Sequence, residues 1–132
     1  MGKFFLIVFI LVFSFNGWSG KLTSQTFDLD RDQCDEYFND LPEFLKGARA
    51  VPVINTKTKK NTGWKITQID SKGTWYKLGF RNNDIIHTVN GNSINSPSDA
   101  TELYLTLRNE KKIAVSLERN GGKMELRYNI QD

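Results

Sequence analysis

The chain has one histidine, His87, and one cysteine, Cys34, so the side chains that do most nucleophilic, proton-transfer and transition-metal chemistry are nearly missing. A transition-metal site would have to be built almost wholly from carboxylates, and the sequence gathers no such cluster. A single thiol cannot close an intramolecular disulfide, so the fold must rest on its core. No phosphate-cradling glycine loop and no strained Gly-x-Ser-x-Gly turn is present, which removes the usual signs of a nucleotide site and of a serine hydrolase. Blocks of one charge are scarce too. Eighteen Lys and Arg stand against fifteen Asp and Glu, a net charge of +3, with both signs interspersed. The nearest approach to a basic patch, Lys57 to Lys60, reads as a solvated loop and not as the aromatic-laced stripe of a nucleic-acid binder. No catalytic residue, metal ligand, cofactor or nucleic-acid partner is expected.

What is present begins with a segment unlike the rest. Lys3 is followed by an unbroken apolar stretch from Phe4 to Val12, extended by Phe13 and Phe15, with Gly17 and Ser19 as small residues at the exit. A basic start, a short apolar stretch and a small-x-small exit make a secretory signal. Asn16, Gly17 and Ser19 interrupt it before the roughly 20 apolar residues that a spanning helix needs. Residues 1–19 therefore read as a signal peptide cleaved near Ser19, the alternative being a short N-terminal membrane anchor. Export is expected in either case.

Residues 20–48 read as a polar linker followed by a helical segment. Cys34, Phe38 and Leu41 recur at helical spacing, and Phe44, Leu45 and Ala48 continue the stripe. Pro42 divides the helix in two because it cannot donate to the preceding turn. Residues 49–132 read as one small α+β domain. Ala50 to Asn55, a β-branched run that contains Pro52, suits an edge strand. Trp64, Ile66 and Gln68 alternate with Lys65, Thr67 and Ile69 as in a half-buried strand. A helical turn around Thr74 to Leu78 is expected to end on Gly79, with Trp75 and Leu78 over the core. Ile85 to Val89 is a strand closed by the tight-turn pair Asn90-Gly91. Ser96, Pro97 and Asp99 open a helix whose apolar face is Ala100, Leu103, Tyr104 and Leu107. The end of the chain is a β-hairpin: Ile113, Val115 and Leu117 alternate, "RNGG" turns, and Met124, Leu126, Tyr128 and Ile130 alternate again.

The stretch "KLGFRNNDIIHTVNG", Lys77 to Gly91, followed by a proline-started helix and an "ERNGGK" hairpin, resembles the bacterial PDZ domain. Asp84-Ile85-Ile86 with Asn90-Gly91 carries that likeness. Ala48 to Pro52, "ARAVP", with "GWKITQI" and "YKLGF", extends it to the periplasmic part of type II secretion system protein C, the component that connects inner-membrane parts to the outer-membrane secretin. The resemblance covers about residues 29–131. It implies a small, partly open β-barrel or sandwich of five to six strands with two helices, preceded by a helical segment. The structural motif would be Gly79, Asp84, Asn90 and Gly91. A peptide groove would lie between an open strand, Thr62, Gly63, Trp64, Lys65 and Ile66, and the helix face of Ala100, Leu103, Tyr104 and Leu107. One departure is visible: Thr62-Gly63-Trp64 has a polar residue where a carboxylate-binding loop has an apolar one. The implied function is a non-enzymatic interaction module that binds a secretin, a secreted substrate or another secretion component. The alternative is an accessory that presents peptides to an envelope protease of the HtrA kind. His87 falls at a variable strand position in this pattern, which assigns it to architecture.

Overall fold

A computed structural model describes residues 22–132; the signal segment expected at residues 1–19 lies outside them. In chain order the elements are β1 (Thr23–Asp30), α1 (Arg31–Asn39), α2 (Leu41–Leu45), β2 (Arg49–Ile54), β3 (Asn61–Thr67), α3 (Thr74–Lys77), β4 (Asp84–Val89), β5 (Asn92–Ser93), α4 (Pro97–Leu107), β6 (Lys112–Arg119) and β7 (Gly122–Gln131). The strands form one sheet in the order β1-β7-β6-β4-β3-β2, with β5 paired to β4 alone. The path does not close on itself, so the α+β, partly open architecture expected from the sequence is the one observed. Seven strands stand where five or six were expected; β1 and the two-residue β5 account for the difference.

Two Asn-Gly turns organise the sheet. Asn90 and Gly91 have φ of 49° and 78°, and Asn120 and Gly121 have 52° and 79°. Positive φ at both central residues gives the turn a twist that matches the flanking strands. The second pair sets the β6/β7 register, which places Val115 opposite Leu126 and Leu117 opposite Met124. All four are buried, as period-two alternation requires when one face covers the core. Ile66, Trp75, Leu78, Phe80, Ile86, Val89 and Tyr128 complete that core.

Two of the helices start at side-chain caps. Ser96 Oγ accepts from the Asp99 amide at 3.1 Å, and Asp99 Oδ2 accepts from the Asn95 amide at 3.0 Å, so the two side chains cap the α4 start in both directions. Asp40 separates α1 from α2 and accepts from the Glu43 amide, with Pro42 in the first turn of α2. β3 ends at Thr67, earlier than the alternation to Ile69 suggests, because Gln68 takes a φ of 60°.

Residues 23–28, expected as polar linker, and residues 29–30, expected as the start of the helical segment that runs to residue 48, form β1 instead. This strand runs parallel to β7, with Phe27 opposite Tyr128 and Leu29 opposite Ile130. The Phe27 ring stacks on Tyr128 at 5.5 Å and presses on Gly79, where an added Cβ would lie 2.6 Å from Phe27 Cζ. Gly79 also has a φ of 98°, so both space and backbone require glycine there. The helical segment consequently starts at Arg31 and not at Leu29.

Candidate functional site

Asp84 is fully buried, and its carboxylate is met from two sides. Arg119 donates from Nε and Nη2 at 2.8 Å each, and the Arg81 amide donates at 2.8 Å. The same guanidinium reaches the Gly79 carbonyl. Asp84 thereby ties the turn before β4, the end of β6 and the cap of α3 into one unit, a bidentate fork with every bond charge-assisted. Its hydrogen bonds raise the Arg119 pKa above the ordinary arginine value. Tyr128, buried beside it, donates to the Leu78 carbonyl, and desolvation pushes its phenol well above the usual range.

Thr62 to Ile66 all fall in β3, but from Trp64 to Ile66 that strand has no open side. β2 pairs with it along one edge, Pro52 opposite Trp64 and Val51 opposite Lys65. β4 pairs along the other, Ile86 opposite Trp64 and Ile85 opposite Lys65. Thr62 Oγ1 donates to the Val53 carbonyl, and Trp64 Nε1 donates to the Ile94 carbonyl at 2.7 Å. Ile66 is core, and Lys65 alone projects freely. Gly63 is buried because β4 passes close: a Cβ there would lie 2.8 Å from Ile85 Cγ2. Its amide is taken by Asn61 Oδ1 at 2.9 Å, so the polar Thr62-Gly63-Trp64 turn holds no spare donor at Gly63 for a carboxylate.

Among the described residues the free edges of the sheet belong to β1 and β2. Pro52 fits this place, since a proline is tolerated where its missing N–H faces away from the ladder. Alternate residues of an antiparallel strand face the same side, so Ala50 shares Pro52's free side. This edge is what the "AVPVIN" run indicated.

Ala100, Leu103, Tyr104 and Leu107, the helix residues expected at the groove, all line one apolar cavity of about 300 Å³. No described side chain of α4 is buried, so the helix stands over the cavity instead of filling it. The opposite wall comes from α1 and α2, through Phe38, Leu41, Phe44 and Leu45. Tyr104 and Phe38 are in ring contact at 5.6 Å, and the Tyr104 hydroxyl donates to the Phe38 carbonyl. Phe44 stacks on Trp75 at 5.0 Å, and Trp75 Nε1 donates to the Phe44 carbonyl at 2.8 Å. These wall residues belong to the helical stripe read in the sequence. Their meeting with α4, some sixty positions on, had no local signal. Cys34 lies in the same wall, buried, and desolvation raises its thiol pKa. Among the described residues no group of three or more His, Cys, Asp or Glu is placed to hold a metal ion.

An open sheet with a free strand edge, beside a helix that stands over an apolar cavity, defines a protein-interaction module. The chain belongs to the PDZ domain family: the family's sequence model, described as PDZ domain, matches residues 47–130. The solved PDZ domain of EpsC from Vibrio cholerae aligns at 16% identity over 74% of this chain and 95% of its own, with a TM-score of 0.53. The PDZ domain of the pullulanase C protein of the type II secretion system from Klebsiella pneumoniae, solved in complex with fatty acid, aligns at 19% identity over 65% of this chain and 87% of its own, with a TM-score of 0.49. The first of these shares the fold. No curated protein sequence matches the chain.

Proposed function

We propose that this protein is a non-enzymatic PDZ-type module of the bacterial envelope that binds a secretin, a secreted substrate or another secretion component through the free edge of β2. An extended segment of the partner would add to Arg49–Ile54 as a further strand, with main-chain hydrogen bonds as the chief attraction. The observation that carries this reading is the free β2 edge, which starts four residues after Leu45, a residue that lines one cavity with α4. Partner class and location rest on the resemblance of "ARAVP", "GWKITQI" and "YKLGF" to secretion protein C and on the apolar segment at the start of the chain. Among the described residues no helix is long and apolar enough to cross a membrane.

A pull-down from envelope extract, run with the wild type and with Ala50→Pro, tests this. The substitution removes a free-side amide while the β2/β3 ladder remains, so affinity should fall roughly fivefold for one lost hydrogen bond of ~1 kcal/mol. A secretin or another secretion component that is captured by wild type and weakened by Ala50→Pro supports the reading. Capture of an HtrA-type protease would favour the peptide-presenting alternative, and equal capture by both variants would exclude the β2 edge.

A further inference from the structure

The two signs of charge nearly balance over the whole chain, yet the two free edges of the sheet receive unequal shares. Residues 44–69, which contain β2 and β3, hold Lys46, Arg49, Lys57, Lys59, Lys60 and Lys65 and no Asp or Glu. All six cations are exposed. Lys46 meets Glu43 at 3.4 Å, and none of the other five has an ion pair among the described residues. At the opposite edge, β1 and α1 hold Asp28, Asp30, Asp32, Asp35 and Glu36 against Arg31.

The basic side is also arranged along its edge. Arg49 opens β2, and the chain leaves Ile54 into the loop that carries Lys57, Lys59 and Lys60, so cations stand at both ends of the free strand. Asn55 holds that loop. Its side chain accepts from the Lys57 and Thr58 amides at 2.8 and 3.2 Å, its carbonyl accepts from the Lys59 amide at 2.7 Å, and its own amide donates to the Lys60 carbonyl at 2.9 Å. Three like charges are thereby kept within one turn, where they repel one another and would together attract an anion. Lys65 stands opposite Val51 and so shares its face of the sheet. The six residues of β2 span about 17 Å at roughly 3.3 Å per step. An added strand of the same length would reach from Arg49 to the lysine loop. Carboxylates at its two ends would meet cations, and the acidic β1 edge would repel it. A lipid surface would need the loop alone, whereas unpaired ladder groups between two cationic ends call for an extended backbone.

Resting on strand addition at β2, we infer that the strand that adds is acidic: an extended protein segment with carboxylates at both ends of a stretch of about six residues. One end lies beside Arg49 and the other beside Lys57, Lys59 and Lys60.

The test titrates the full chain with three peptides that share a six-residue Thr/Val centre and carry two Glu, two Gln or two Lys at each end, followed by NMR and amide exchange. At ~0.05 M salt the Glu peptide should bind about tenfold more tightly than the Gln peptide, as a few exposed ion pairs of two- to threefold each would give. That advantage should vanish at ~0.5 M salt. The Ala50 amide should gain protection, and the Lys peptide should not bind. Lys57→Gln, Lys59→Gln and Lys60→Gln together should remove most of the Glu advantage, while Lys112→Gln with Lys123→Gln, exposed on β6 and β7, should keep it. Equal affinity of the Glu and Gln peptides at β2 would overturn the inference and leave strand addition standing. Protection of β2 by none of the three would remove both. Anionic vesicles that shift the lysine loop, with no binding of the Glu peptide, would overturn it in favour of a lipid surface.

Discussion

His87 and Asp84 stand three positions apart and illustrate opposite ways of using a polar side chain. His87 Nδ1 lies 2.7 Å from the Thr62 carbonyl, and because a carbonyl only accepts, Nδ1 carries the proton. Nε2 faces Glu118 at 3.5 Å, with both side chains about two-fifths exposed, a setting in which ion pairs contribute little. His87→Gln should therefore change stability by no more than about 1 kcal/mol, measured by urea unfolding, and leave partner binding intact. The Asp84–Arg119 pair is the contrary case. Asp84→Ala leaves a largely buried guanidinium without its carboxylate and should cost about 3 kcal/mol, with the β4 turn loosened because the Arg81 amide loses its acceptor. Equal unfolding midpoints for wild type and Asp84→Ala would contradict this.

Among the elements, those with a local signal were legible in the sequence. Asn-Gly turns, the Ser96-Pro97-Asp99 start and the period-two runs of β6 and β7 each state their structure within a few residues. β1 did not, for a physical reason. Only Phe27 and Leu29 are apolar in its eight residues, and it pairs in parallel with a strand about a hundred positions later, so packing and not propensity makes it a strand. Phe27→Ala should accordingly cost about 2 kcal/mol, somewhat below a fully buried Phe→Ala change, and should free β1 amides to exchange ahead of the rest of the sheet. Of the residues expected at a groove, the helix face Ala100, Leu103, Tyr104 and Leu107 lines the cavity, whereas the strand read as open, Trp64 to Ile66, is paired on both sides. Alternation reveals a strand but not which neighbours flank it; Pro52 was the one local mark of an edge.

Arg31, at the junction of β1 and α1, clasps Asp132 beyond the end of β7. Arg31 Nε bonds Asp132 at 2.8 Å, and its other nitrogens reach the Arg108 and Glu110 carbonyls. The hydrogen bond from Arg31 holds the Asp132 carboxyl below its usual pKa. A carboxylate with a depressed folded-state pKa stabilises above its unfolded value and loses that contribution as pH falls through the folded one. The clasp should thus be intact at neutral pH and open below the ordinary Asp range of about 3.9. Carbon NMR of the Asp132 carboxyl against pH would show a midpoint under that range, and Arg31→Gln should return it to the ordinary value.

For the molecule as a whole, function depends on which edge of the open sheet meets a partner. β1 is mostly Thr, Ser, Gln and Asp, with Phe27 and Leu29 its only apolar residues. β2 exposes Val51 and Ile54 and is entered from the residues that wall the cavity. Under the proposed function recognition falls at the β2 edge, while β3, β4, β6 and β7 serve as the frame that holds that edge in place. Amide hydrogen exchange on the full chain, with and without a saturating partner such as a secretin periplasmic domain, tests this most directly. The expected result is new protection at the free-side amides of β2, Ala50 and Ile54, with smaller changes along Pro97–Leu107 and none in β1. Protection that appears on β1 or on the outer face of α1, with β2 unchanged, would contradict it.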